Sequence, residues 1–428
     1  MKTLAEASAT PVQPQRIRDE PKTMSTTKDP WVWMAREGHR ILNEVRLLGS
    51  KPLRIDTRQF RLDNVQQALL EEQMRFRQRS RERFPDSEKW LWTDRSLQQA
   101  SDWTSALVKA SLIASDIPVV DACCGAGADL VALAREHRVV GIDRDPRLAR
   151  LALANVHAHQ LSADMCIADL PTSLGDLSRV ALHIDPDRRA GEDRSTRTTH
   201  GEAFSPSLAE CMSMAQPARA AIIKLAPATE IDLTEQPNDW RRCWLGTPRE
   251  CPQQLLVRGE TNLNIPSGQV AAVLCRRELN RQFNQEMTRE VYCGPQISIE
   301  EIVTEPDSYV YEPHPAIYAA GLAPVWSSEH NLAAITHPRG YYTGPELQTG
   351  PWAHAFRVLE VIAWDDRRVR KWLRAAGAGR LEVKSRLITI DASELQRRYS
   401  QNEGRSLVCL LTRSGKGLRA IMAERTNL

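Results

Sequence analysis

No two of the nine cysteines in this 428-residue chain are spaced C-x-x-C. Cys123 and Cys124 are adjacent, and Cys166, Cys211, Cys243, Cys251, Cys275, Cys293 and Cys409 are scattered, so no tetrahedral metal site begins here and none is expected. Reduced, buried thiols are the expectation. No apolar run approaches the roughly 20 residues that span a bilayer, so no membrane partner is expected. The first thirty residues lack an apolar h-region and carry Glu6, Asp19 and Glu20, which argues against a secretory or transit segment and for a cytoplasmic protein. A strong overall charge is also missing, the net being +3. Yet residues 338–428 hold 17 Lys and Arg against 9 Asp and Glu, which permits a phosphate-bearing partner.

What is present reads as several domains, since the chain exceeds one compact core. Residues 1–29, rich in Pro, Thr, Ser and charge, are expected to form a disordered tail, with Met24 a candidate start of translation. Residues 30–115 carry apolar residues at three- and four-residue steps and predict a helical domain. One long helix is expected from Asn64 to Phe84; it would put Arg75, Arg79 and Arg83 on one face, either solvated or in contact with phosphate.

Residues 116–290 alternate short apolar runs with helical segments, the pattern of an α/β fold with a parallel sheet. Strands are expected at Pro118–Cys123, Arg138–Asp143, Ala163–Ile167, Val180–Asp185, Ala220–Leu225 and Gln269–Arg276. His183, inside one of these runs, reads as a satisfied core histidine. Residues 291–337 read as a connecting segment. Residues 338–428 predict a small α/β domain, with strands at Phe356–Ile362, Arg380–Ser385, Leu407–Thr412 and Leu418–Ala423 and helices at Asp365–Ala376 and Ala392–Ser400.

The most informative stretch is Val119-Val-Asp-Ala-Cys-Cys-Gly-Ala-Gly-Ala-Asp-Leu130, a strand running through a glycine loop into a helix. Gly125 and Gly127 allow a tight turn and close backbone approach to a ligand at a helix N-terminus. A P-loop would need a lysine, and a dinucleotide loop a third glycine where Leu130 stands. Asp121 and Asp129 would repel a pyrophosphate but suit a ligand with a cationic end, such as S-adenosylmethionine. Asp143 ends the next strand, where a carboxylate accepts ribose hydroxyls, and Asp169 follows the third strand, over the expected adenine position. Cys123 and its neighbour read as small fillers beside the ligand. A structural turn and another nucleoside binder are the competing readings.

The fourth strand ends in Ile184-Asp-Pro-Asp-Arg-Arg189. Ligands of open α/β sheets sit beyond the carboxyl ends of the strands, so Asp185 is placed to orient or deprotonate a methyl acceptor. Arg188 and Arg189 are candidates to clamp a carboxylate or phosphate, or else bind surface acids. The stretch to Phe204, with Arg194 and Arg197, reads as a substrate lid. Lys224 reads as a loop-anchoring charge at the same edge.

Together these segments resemble the Rossmann-like class I S-adenosylmethionine-dependent methyltransferases that carry a C-terminal THUMP-like domain. The likeness rests on Asp121–Asp129, Asp185-Pro-Asp-Arg-Arg189, Lys224-Leu-Ala-Pro227, Arg83-Phe84, Leu97-Gln-Gln-Ala100 and Leu373–Arg386. It implies S-adenosylmethionine as cofactor and, by analogy with THUMP domains, an RNA substrate. Methylation of a small molecule or protein, and non-catalytic RNA binding on the same scaffold, are the alternatives. Where base-directed amino methyltransferases show Asn/Asp-Pro-Pro and an aromatic, this chain has Asp187, Arg188 and Arg189, which leaves the acceptor open.

Overall fold

Five short apolar runs, each preceded or followed by a helix, form parallel strands whose carboxyl ends align. The computed structural model describes residues 15–16, 29–47, 60–171, 174–187, 204–231, 239–279, 285–297, 301–414 and 417–426. Most of the 1–29 tail and the 188–203 lid therefore lie outside the described residues. The chain forms two compact units. One comprises Met1–Trp240, Leu255–Asn264 and Arg277–Met287; the other Arg241–Gln254, Ile265–Arg276 and Thr288–Leu428.

In the first unit, helices α1 (Pro30–Leu47), α2 (Asn64–Ser80), α3 (Asp94–Gln99) and α4 (Trp103–Leu112) precede the sheet. Helix α2 opens on a capping box between Asp63 and Gln66. It stops at Ser80 rather than Phe84, the residue that Pro85 keeps from helical geometry. Arg83 thus leaves the helical face expected for it. Its guanidinium instead donates to the Leu97 carbonyl at 2.7 Å and to that of Ala100, joining two of the segments that carry the family resemblance.

Strand β1 (Val119–Ala122) leads through the glycine loop into α5 (Ala128–Leu133); β2 (Val139–Asp143), α6 (Pro146–Ala158), β3 (Asp164–Ile167), β4 (Ala181–Ile184), α7 (Leu208–Ala215) and β5 (Ala220–Leu225) follow. Their order is β3-β2-β1-β4-β5, all parallel. The direction of winding reverses between β1 and β4, the switch point at which open α/β sheets bind ligands. Register places Asp121 beside Gly141 on one side and His183 on the other. Apolar residues of β1, β4 and β5 meet α7 in one core that includes Leu182, Ile184, Ile223 and Cys211. Leu130 fills the space a dinucleotide loop leaves to glycine: a Cβ at Gly141 would meet Leu130 Cδ2 at 2.9 Å.

In the second unit, Arg241–Gly246 runs parallel to Val270–Leu274, and the core around Trp244 includes Tyr311, Trp326 and Tyr342. Within residues 291–337, read from sequence as a connecting segment, lie strands Ile302–Val303, Tyr309–Pro313 and Ala333–Ile335 and two short helices, and strand Tyr342–Gly344 follows just after it. The first of those strands has two residues and two others have three, too few to show a period. Tyr309–Pro313 pairs antiparallel with Ala353–Ala363, so the tail shares one eight-stranded sheet with this region. The helices of the tail, α8 (Asp366–Ala375) and α9 (Ala392–Tyr399), cover the strands Ala378–Ser385, Arg405–Ser414 and Gly417–Arg425 through Val369, Leu373, Leu395 and Tyr399. Among the described residues no helix is long and apolar enough to cross a membrane.

Candidate active site

A cavity of about 810 Å³ opens at the switch point, wholly within the first unit. Cys123, Gly125, Asp129, Asp143, Asp169 and Asp185 line it, as do Trp31, Glu72, Trp92, Arg95 and Gln99 from the helical segment. Gly125 has φ +58°, and a Cβ there would meet no atom within 4 Å, so the space over the loop is open for a ligand. Its N–H donates to Asp143 Oδ2 at 2.8 Å, and the Asp145 N–H donates to Oδ1 at 2.9 Å. Burial raises the Asp143 pKa and these two donors oppose it. The carboxylate is fixed in orientation and keeps lone pairs for hydroxyl donors, which fits a ribose. Asp169 stands on the exposed rim, 3.9 Å from Arg144.

Two residues read from sequence as cofactor contacts do not line this cavity. Gly127, at φ +86°, faces helix α6, where a Cβ would lie 3.0 Å from Ala152 Cβ; the packing of two helices requires it. Asp121 is fully buried beneath the loop, its Oδ1 2.7 Å from His183 Nδ1. Cys123 holds a left-handed backbone and lines the cavity, and burial pushes its thiol well above the ordinary range, which favours the neutral thiol.

Asp129 depends on residues the sequence reading passed over. Its Oδ2 accepts from Lys109 Nζ at 2.7 Å and from Ser101 Oγ at 3.0 Å, and Lys109 also donates to Ser101 at 2.8 Å. Burial opposes ionisation of Asp129, but the Lys109 charge outweighs it and holds the carboxyl far below the usual range. Asp129 Oδ1 is buried without a partner among the described residues, in a side chain that lines the cavity. It suits a cationic group. The available signal was a single lysine inside the apolar run Ala106-Leu-Val-Lys-Ala110.

On the acceptor side, Asp185 Oδ2 accepts from Lys224 Nζ at 2.6 Å, as a loop-anchoring lysine should be placed. Asp187 is tied to α3 by Arg95 at 2.5 Å and Gln99 at 3.1 Å, and its backbone exchanges two hydrogen bonds with Ser205. Arg188 and Arg189 lie outside the described residues. Another contact missed in the sequence is Asn155 of α6, whose amide bonds the Ala126 carbonyl in the glycine loop and both backbone groups of Leu91.

An uncharacterised S-adenosylmethionine-dependent methyltransferase of Mycobacterium tuberculosis, found in two strains, is 30% identical over 334 residues, spanning 77% of this chain and 86% of its own. This chain belongs to the S-adenosylmethionine-dependent methyltransferases. S-adenosylmethionine is therefore its cofactor, and the open glycine loop, the fixed Asp143 and the unpartnered Asp129 oxygen fit it. Residues 353–425 of the methyltransferase match the family described as THUMP domain-like. A Porphyromonas gingivalis W83 protein, provisionally assigned as a methyltransferase, shares its fold with a TM-score of 0.68 at 18% identity, over 93% of this chain and 98% of that one.

Proposed function

We propose that this methyltransferase modifies RNA, held by the basic face of its C-terminal domain. The carrying observation is helix α8. Val369 and Leu373 are buried, while Arg367, Arg368, Lys371 and Arg374 are exposed with no acidic partner within 4 Å among the described residues. The THUMP domain-like match over 353–425 supports the same reading. The cavity has the opposite character: eight carboxylates and three arginines are among its described lining residues, which favours a neutral acceptor there and phosphates elsewhere.

When bound, S-adenosylmethionine supplies a methyl group already activated by a positively charged sulfur. The protein's share is positioning. Asp143 and Asp169 receive the nucleoside and Asp129 the cationic end. Lys224 holds Asp185 by Oδ2, leaving Oδ1 to accept an N–H or O–H of the acceptor. Arg95 and Gln99 keep the Asp185-Pro-Asp187 turn in place, and Arg188 and Arg189 contribute a clamp for an anionic group.

The direct test incubates the protein and labelled cofactor with total RNA from a strain lacking its gene. Label should enter one RNA class; protein that binds cofactor yet labels no RNA refutes the reading. Replacing Arg367, Arg368, Lys371 and Arg374 with Glu should lower the slope of log affinity against log salt by about 3 and leave cofactor binding intact.

A further inference from the structure

Helix α3 and the serine that follows it touch two sides of the cavity. On one side Arg95 donates to Asp187 Oδ2 at 2.5 Å and Gln99 donates to Oδ1 at 3.1 Å, so α3 holds both oxygens of that carboxylate. On the other, Ser101 Oγ donates to Asp129 Oδ2 at 3.0 Å and accepts from Lys109 Nζ at 2.8 Å. Ser101 is buried, and Arg95, Gln99, Ser101, Asp129, Asp185 and Asp187 all line the cavity. The segment is tied at both ends and should shift as one piece. A capping box between Thr93 and Ser96 closes its start, and Arg83 holds the Leu97 and Ala100 carbonyls near its end.

The acceptor turn has few backbone ties of its own. Asp187 and Ser205 exchange two hydrogen bonds in an isolated bridge, outside any strand, and the Asp185 N–H donates to the Ala122 carbonyl at 3.2 Å. A bridge without a ladder opens readily, so the side-chain ties from Arg95 and Gln99 weigh heavily in keeping it closed. Asp129, by contrast, has one oxygen held by Lys109 and Ser101 and the other, Oδ1, without a partner among the described residues. An ammonium on Oδ1 gives both oxygens partners and fixes the carboxylate against Ser101.

We propose that Ser101 and α3 relay occupancy of the cofactor's amino end to the acceptor turn, so that Asp185–Asp187 is set for the acceptor once the cofactor is in place. Ser101, Gln99 and Arg95 are positioning residues: they act through Asp129 and Asp187, not on the reacting atoms. The inference rests on Asp129 receiving the cofactor's amino group and is independent of what is methylated. The nucleoside end has a separate route to the same turn. Asp169 lies 3.9 Å from Arg144, which donates to Ser205 Oγ at 3.3 Å, and this exposed pairing couples weakly. The relay is therefore read as a difference between two ligands that share the nucleoside.

The experiment is hydrogen-exchange mass spectrometry of the full chain, saturated with S-adenosylhomocysteine or with 5′-methylthioadenosine, which lacks the amino and carboxyl groups. The first ligand should slow exchange of the Asp187 amide about tenfold more than the second. In Ser101→Ala, which keeps the Lys109–Asp129 ion pair, that difference should vanish, and Ser101→Thr, which restores the hydroxyl, should recover it. Arg95→Ala with Gln99→Ala should abolish the difference at Asp187 while slowing at the Ala100 amide remains. Equal slowing by the two ligands, or an undiminished difference in Ser101→Ala, overturns the proposal. Should Ser101→Ala fail to fold, the Arg95 and Gln99 double variant decides, since both side chains are half-exposed, and an undiminished difference there is equally fatal. Calorimetry of Asp129→Asn separates the underlying assignment. Undiminished affinity for S-adenosylhomocysteine overturns the role of Asp129 and the relay with it, whereas lost affinity beside equal slowing in the natural protein overturns the relay alone.

Discussion

At the scale of single residues, the two loop glycines separate into different jobs. Gly127→Ala meets both a left-handed backbone and the Ala152 Cα at 3.1 Å, so unfolding in urea should show a loss above the roughly 1–2 kcal/mol that the conformation alone costs. Gly125→Ala faces open space and should stay near that lower figure while losing cofactor affinity. Lys109→Met leaves Asp129 buried and unpaired and should cost about 3–5 kcal/mol, most of it recovered by adding Asp129→Asn. Because Asp129 is held below the ordinary carboxylate range, its stabilisation is present above about pH 4 and is lost as the pH falls toward the folded value. Asp129→Asn should lack that acid-side loss in unfolding curves. Gly125, Asp129 and Asp143 were legible in sequence because each sits at a fixed offset from a strand end. Lys109 and Asn155 were not, since a polar residue in a helix does not announce its partner.

At the scale of elements, α6 is the joint between the helical segment and the glycine loop. Asn155 bonds Leu91 N, Leu91 O and Ala126 O at 2.7, 3.0 and 2.9 Å, all buried. Asn155→Leu leaves three backbone groups without their partner and should cost several kcal/mol, at about 1–3 for each orphaned group. A parallel fall in cofactor affinity would show that the loop moves with it; unchanged melting would refute the joint. Strand and helix identities in the first unit followed from period and apolar run length, and strand β5 was read at its observed bounds. Strands Arg241–Gly246 and Gln253–Gly259 were missed, because Arg241, Arg242, Pro252 and paired glutamines interrupt the apolar signal.

At the scale of the whole molecule, stability and ligand are coupled. Cofactor at 100 times its dissociation constant should add about 2.7 kcal/mol to unfolding of the unit that binds it, read as a rise in its melting temperature. A chain ending near residue 337 would remove Tyr342–Gly344 and Ala353–Ala363, both of which pair with Tyr309–Pro313. It should expose the core around Tyr311 and aggregate, so a catalytic fragment made at that point would be a poor test of the tail. The sheet shows what the tail's own pattern of strands and helices conceals: which earlier segment completes it.

Sequence alone determined the glycine loop, the acidic ends of β2 and β4, the alternation of strands and helices and the likeness to methyltransferases, because these are demands of backbone conformation and short-range period. The fold alone decided which charges meet. Lys109 finds Asp129 across 20 residues, Lys224 finds Asp185 across 39, and His183 finds Asp121 across 62. Such pairs exist only where separate elements exclude water together, and no local pattern records a partner that far along the chain.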